Sequence, residues 1–384
     1  MHDFFAPQYP DSASLCRKAK ARMPHFAYQY LQGGCIDEHG LDRNNEELIQ
    51  VRLRSELLKP SVTVDTSVEL FGHTYAAPFG IAPVGLQGLM WPKAPEILAK
   101  SAAQMNIPYV LSTVSSASLE NIADISEGKA WYQLYNPTDT ETRIDLINRL
   151  KASGYQNMMV TVDVPTFGYR VNDIKNGLSM PPKMSLSNIA QMALSPRWLL
   201  ETALAGQPKM ETLIPYMPPN MPTDQLAAFM NKTVMGAVDF EALKELRDLW
   251  PGNFIIKGVV NPNDVQKAVE LGADGVVISN HGARQLDCGE SSIAGLQAIR
   301  QQYKDKITLL FDSGIRSGTD IAAAMASGAD FTFLGRTFVY AVAALGEKGG
   351  EHAINMLLKQ YTQVLSQLKC AHSSQLPDFL VNHD

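Results

Sequence analysis

Cysteine is scarce in this chain: four in 384 residues, Cys16, Cys35, Cys288 and Cys370, with no CxxC pair. That spacing excludes a disulfide frame and a zinc site, and reads as four reduced thiols in a cytosolic protein. Positive charge is also short. The 33 Lys and Arg face 39 Asp and Glu, a net charge of −6, and no basic stripe interleaves with aromatics, so nucleic acid is not an expected partner. No run approaches the roughly 18 uncharged apolar residues that cross a bilayer. MHDFFAPQYPDSASL lacks the basic and apolar regions of a secretory signal, and the expected location is the cytoplasm. Also missing is a GxGxxG after the first strand, which argues against a dinucleotide fold.

What is present is alternation. Short apolar runs with strand character recur: PFGIAP near 80, PYVLST near 110, AWYQLY near 133, NMMVTVD near 160, NFIIKGV near 256, GVVISN near 278, TLLFDSG near 311 and FTFLGR near 334. Helical segments such as APEILAKSAAQM, DTETRIDLINRLKASG, PNDVQKAVELG, SSIAGLQAIRQQY and GTDIAAAMASGA lie between most of them. Eight such repeats predict a closed (β/α)8 TIM barrel rather than its rival, an open doubly wound sheet. The whole chain reads as one domain with two additions. Residues 1–75 form an N-terminal extension, with SLCRKAKARMPHFAYQYLQGG as a helix and EL-FGHTY as a hairpin placed to plug the barrel floor. Residues 176–236, after the fourth strand, form a long insert rich in Met, Leu and Pro.

Barrel enzymes place their chemistry at the C-terminal ends of strands, and here nearly every strand ends in a polar side chain. Gln133 and Tyr135 close the third, and Thr161 and Asp163 the fourth, with Arg170 beyond. Lys257 stands on the fifth, Ser279, His281 and Arg284 on the sixth, Asp312, Gly314 and Arg316 on the seventh, and Gly335 and Arg336 on the eighth. A buried Lys257 without purpose would be costly, whereas Asp163 taken alone reads equally well as a helix N-cap. Gly282 lets the backbone turn closely between His281 and Arg284. Glycine and arginine after the last two strands suit a phosphate at helix N-termini.

SNHGARQLD, YQLY, TVDVP, GYR, DIKN, IIKGV, DSGIRSGTDI and LGR, in that chain context, resemble the FMN-dependent L-2-hydroxy acid oxidase and dehydrogenase family. The resemblance runs from about Pro24 to Leu368. GLQGLMWP, LWPGNFIIKG and LSPRW are closest in flavour to its (S)-mandelate and membrane-associated L-lactate dehydrogenase branch. It implies FMN as cofactor, with His281 as general base and Asp163 orienting its imidazole. It implies that Arg284 and Arg170, assisted by Tyr30, clamp the substrate carboxylate. Tyr135 then hydrogen-bonds the substrate oxygen, and Lys257 stabilises the reduced flavin. Flavin contacts carry over to Ala82, Pro83, Val84, Gly85, Ser112, Gln133, Thr161 and Ser279. The ribityl-phosphate site carries over to Asp312, Gly314, Arg316, Gly335 and Arg336.

The first-strand motif departs from many members by reading APVG, with Gly85 tilting gently toward a dehydrogenase. Val114 stands where glycolate oxidase carries a pocket-narrowing Trp, and Phe167 offers an apolar wall, so a substrate larger than glycolate is expected. The expected acceptor is a quinone or other carrier, with an oxygen-using oxidase as the alternative. A Schiff-base aldolase built on Lys257 and a silent flavin-binding barrel are the further readings. For the insert two readings stand level. In one, Trp198, Leu199, Leu200, Met210, Leu213, Ile214 and Met217 rest on the inner face of the cytoplasmic membrane; in the other the insert is a lid or subunit contact. A homotetramer is typical of the family.

Overall fold

β-Branched and aromatic runs bounded by Gly, Pro and Asn give short strands, and their period of two decides which side chains face inward. The computed structural model describes residues 5–178, 184–219, 221–222, 225–234, 236 and 238–381. Parts of the expected insert, and the two extreme ends of the expected domain, therefore lie outside the described residues.

A two-stranded antiparallel hairpin, β1 (Val68–Leu70) and β2 (His73–Tyr75), precedes eight parallel strands. These are β3 (Phe79–Ile81), β4 (Val110–Ser112), β5 (Trp131–Leu134), β6 (Asn157–Thr161), β7 (Asn253–Val259), β8 (Gly275–Ile278), β9 (Thr308–Phe311) and β10 (Phe331–Leu334). Their order in the sheet is β3-β10-β9-β8-β7-β6-β5-β4. The Ile81 amide donates to Pro108 O, and a parallel bridge joins Ile81 to Tyr109, so the first and second barrel strands close the ring. The fold is a (β/α)8 barrel. The five expected crossover helices all form, among them Ala94–Gln104, Thr140–Ala152 and Pro262–Leu271.

Two apolar layers follow from the alternation. Val110, Trp131, Met159, Ile255, Val277, Leu310, Phe331 and Phe333 fill the barrel interior. Their neighbours, such as Leu111, Tyr132, Val160, Ile256, Ile278 and Phe311, face the surrounding helices. Leu70 and Tyr75 of the hairpin join the interior cluster, with Phe71 packed on it, and Phe71 and Tyr75 both lie against the Trp131 ring. The hairpin is the expected floor plug. Two residues further along the six strands β4 to β9, the inward position turns polar: Ser112, Gln133, Thr161, Lys257, Ser279 and Asp312. The barrel therefore changes from dry core to polar mouth within one layer of side chains.

The N-terminal helix expected as one is two, Ser12–Lys20 and His25–Gln32. Pro24 lacks an amide hydrogen and stands at the N-cap of the second, so it breaks the run and restarts it. The second helix ends at Gly33 as its C-cap, beside the expected Gly33-Gly34 stop. The described part of the insert forms helices Leu186–Ala193, Pro196–Ala205 and Leu226–Thr233 with a 3-10 turn at Glu211–Tyr216. Arg149 clasps that turn: it pairs with Glu120 at 2.8 Å and donates to Thr212 O and the Tyr216 hydroxyl, both at 3.0 Å. Trp198, Met210 and Leu213, which one of the two readings of the insert set at a membrane surface and the other in a lid or subunit contact, are buried. Trp198 donates its indole N–H to Leu89 O, while Met210 and Leu213 pack with Met230 and Val234 over the barrel mouth.

Candidate active site

One cavity of about 400 Å³ opens at the C-terminal mouth. Of the expected site residues, Tyr30, Ala82, Pro83, Val84, Gly85, Ser112, Gln133, Tyr135, Thr161, Arg170, Lys257, His281, Arg284, Asp312, Gly314, Arg316, Gly335 and Arg336 line it. Asp163 and Ser279 do not. Each stands one hydrogen bond behind a residue that does.

Asp163 is not a helix cap; its Oδ1 lies 3.0 Å from His281 Nδ1. Burial alone would raise the Asp163 carboxyl, but the His281 charge and hydrogen bond, with Lys257 nearby, hold it below its ordinary value. A bulge makes room for it. The β7–β8 register shifts between Lys257 and Val259, and Gly258 between them has φ 100°; a Cβ there would lie 2.4 Å from Asp163 Cγ. Beyond β8, His281, Gly282 and Ala283 take φ values of 59°, 62° and 59°, three consecutive left-handed residues. The Ser279 hydroxyl accepts from His281 N at 3.1 Å, and Ser313 Oγ accepts from Gly282 N at 3.0 Å. This curl carries the imidazole off the strand axis to meet Asp163.

Lys257, buried in the mouth, pairs with Asp312 Oδ2 at 2.7 Å and donates to Ser279 Oγ at 2.9 Å. The sequence placed these three at separate strand ends without linking them. Across the barrel, Ser112 donates to Gln133 Oε1 and Gln133 donates to Thr161 Oγ1, both at 2.9 Å. Tyr135, half-buried in the cavity wall, has its phenol pushed well up by burial first and by Asp163 second.

The arginines form two groups. Arg284 Nη1 donates to Tyr30 O and Gly33 O at 2.8 and 2.6 Å, and its guanidinium stacks 5.1 Å over the Tyr30 ring. Arg170 Nε and Nη2 donate to Arg284 O and Gln285 Oε1 at 3.4 and 3.2 Å. Burial first and Arg170 second push the Arg284 guanidinium down, to about 10, the signature of two like charges held together away from water. In the second group, Arg336 donates to the carbonyls of Leu31, Gly33 and Gly282 at 2.9, 3.1 and 3.2 Å. Burial and then Arg316 push its guanidinium down, to about 9. No ion pair within 4.0 Å joins Arg316 or Arg336 to a carboxylate among the described residues.

This donor set fits FMN. Arg316 and Arg336, with Gly335 and the helix N-terminus at Arg336, make an anion site that suits a phosphate. Lys257 and the Ser112–Gln133–Thr161 chain offer donors and acceptors to a flat polar ring. Gly85 keeps the wall clear beside it, since a Cβ there would meet Val114 Cγ2 at 2.7 Å. Sequence reasoning missed Asp173, buried between Arg170 and Arg284, and Met210 and Met230, which line the cavity from the insert. The spacing of Arg170 and Asp173 signals a helical i,i+3 pair; the insert's Met content and its reading as a lid are legible in the sequence, but nothing in the pattern singles out Met210 and Met230 as cavity wall.

The chain matches the family model described as FMN-dependent dehydrogenase over residues 19–383. It is 38% identical over 356 residues to an L-lactate dehydrogenase of Xanthomonas euvesicatoria pv. vesicatoria (strain 85-10), covering 92% of this chain and 91% of that one. An L-lactate dehydrogenase of Alcaligenes faecalis is 34% identical over 371 residues, 96% and 98% of the two chains. Among solved structures, the monotopic membrane protein (S)-mandelate dehydrogenase superposes with a TM-score of 0.91 at 33% identity, over 98% of this chain and all of that one.

Proposed function

The chain belongs to the FMN-dependent dehydrogenase family, and from that premise we propose that it oxidises an L-2-hydroxy acid to the 2-oxo acid and passes the electrons to a quinone or other carrier. FMN is its cofactor, and when bound it takes up the two electrons that leave the substrate. His281 removes the proton, and Asp163, ionised beside it, keeps the imidazole oriented and stabilises its cationic form. Arg170 and Arg284 hold the carboxylate through nitrogens outside the hydrogen bonds given above, Nη1 of Arg170 and Nη2 of Arg284. Tyr30 backs that clamp, and the Tyr135 phenol, kept protonated by burial, donates to the substrate oxygen. Lys257 supplies positive charge beside the flavin ring, its position held by Asp312 and Ser279.

One observation carries this reading. An imidazole held from behind by a carboxylate at 3.0 Å lines the same cavity as a pair of guanidiniums. The same cavity is also lined by the apolar side chains of Val114, Phe167, Met210 and Met230. We therefore read the substrate's side chain as apolar and larger than that of glycolate. The test is anaerobic mixing of the yellow holoprotein with L-2-hydroxy acids from lactate through branched aliphatic acids to mandelate. At least one L acid, and not its D isomer, should bleach the flavin. No bleaching anywhere in the panel overturns the reading. The reduced protein should then reoxidise faster with a soluble quinone than in air-saturated buffer; reoxidation by oxygen within turnover time would make it an oxidase.

The insert supports membrane contact as well as a lid. No helix among the described residues is long and apolar enough to cross a membrane. Helices Leu186–Ala193 and Pro196–Ala205 pack on each other and leave Leu186, Ile189, Leu194, Leu200 and Leu204 exposed. That face suits the inner surface of the cytoplasmic membrane, where a lipid-soluble quinone would be at hand. A homotetramer is the assembly we expect.

A further inference from the structure

A carboxylate that the mechanism above leaves unused sits at the heart of its anion site. Asp173 lies on the short helix Val171–Lys175 and is 7% exposed. Its Oδ2 is 3.9 Å from Arg170 Nη1 and 3.9 Å from Arg284 Nη2. Those distances are too long for hydrogen bonds, so one oxygen balances two cations without saturating either. Other bonds hold part of each guanidinium. Arg284 Nη1 is committed to Tyr30 O and Gly33 O, and Arg170 Nε and Nη2 to Arg284 O and Gln285 Oε1. Glu38, the next acidic neighbour, is tied by its Oε1 to Gly34 N and Asn172 Nδ2 at 3.0 and 2.8 Å.

We propose that Asp173 is a positioning residue that sets the charge of the clamp, so that the site selects acids with one carboxylate over acids with two. The proposal rests on the hydroxy-acid reading and deepens it. Two guanidiniums and one aspartate leave a single positive charge, which one entering carboxylate neutralises. A second carboxylate would be buried unpaired against Val114, Phe167, Met210 and Met230, none of which carries charge. Asp173 also screens Arg170 from Arg284, whose repulsion is the second cause, after burial, of the lowered Arg284 guanidinium. Without the aspartate charge, the clamp would call for two negative charges instead of one.

Propionate and malonate differ by a methyl group against a carboxylate, and their binding to the FMN holoprotein can be read as a perturbation of the flavin absorption. The wild type should favour propionate. Asp173→Asn, or Asp173→Ser where Asn disturbs folding, should shift the malonate-to-propionate affinity ratio upward by about tenfold or more, the effect of one unscreened charge a few ångströms away. Asp173→Glu, which keeps the charge, should stay near the wild-type ratio. An unchanged ratio in the neutral variants overturns the proposal. So does equal weakening of both ligands in all three variants, which would make Asp173 a mere prop. A wild type whose flavin responds to no carboxylate would instead overturn the hydroxy-acid reading, and this inference with it.

Discussion

His281 holds a backbone conformation that L residues avoid, and a second left-handed non-glycine residue, Ala283, follows within two positions. Each such residue costs on the order of 1–3 kcal/mol, offset here by the bonds from Ser279, Ser313 and Asp163. The cost is tolerated because the curl puts a base where a straight strand could not. His281→Gln should keep FMN bound yet slow flavin reduction by about 10²–10⁴-fold, as expected for loss of a positioned base; stopped-flow reduction at the wild-type rate would refute the assignment. Asp163 has a second, pH-dependent consequence. Its carboxyl is depressed in the fold, so the stability it contributes is present above the ordinary aspartate value, about 3.9, and is lost as pH falls through the lower folded value. Asp163→Asn should therefore lower the thermal midpoint at about pH 7 by more than at about pH 3. A gap between variant and wild type that is the same at both ends would count against the pair.

Strand β7 shows how an element serves a residue. Its bulge at Gly258 interrupts the β7–β8 register, and the missing side chain is the space in which the Asp163 carboxyl sits. Gly258→Ala should leave the barrel and its FMN in place, push Asp163 aside, and cost on the order of a hundredfold in flavin reduction, the scale of a 1 Å misplacement. Full activity in that variant would show that the carboxyl has room to spare. The strands themselves were legible, because inward and outward positions alternate and the polar ones fall at strand ends. The split of the N-terminal helix was signalled by Pro24, but an amphipathic pattern on both sides of it concealed the break. The insert was the least legible element. Its Met and Leu content suits a buried lid and a membrane face equally; in the structure Trp198, Met210 and Leu213 turn inward, while Leu186, Leu194 and Leu204 stay exposed.

For the whole molecule, the insert joins two properties, since one side of it lines the cavity and the other is an exposed apolar surface. We read the extension, barrel and insert as a single FMN-binding domain that approaches a bilayer by that surface. The holoprotein should sediment with phospholipid vesicles, and replacing Leu186, Leu194 and Leu204 together by Gln should release it while leaving flavin reduction by substrate intact. Equal sedimentation of the two proteins would assign that surface to a subunit contact instead. With few basic residues in the insert, binding should depend only weakly on anionic lipid and on salt.

The sequence by itself determined the barrel and the identity of the chemical groups at its mouth, because period-two alternation and strand-terminal polar residues are local properties of the chain. It also determined that His281 and Arg284 would lie together, three residues apart around a glycine. What only the tertiary structure decided are the pairings between distant segments: Asp163 with His281 across the Gly258 bulge, Lys257 with Asp312, and Asp173 between two arginines. Contacts of that kind depend on register, bulges and the path of the insert. A sequence pattern shows which face a side chain takes, but the distance to its partner is set by how the strands and loops close around it.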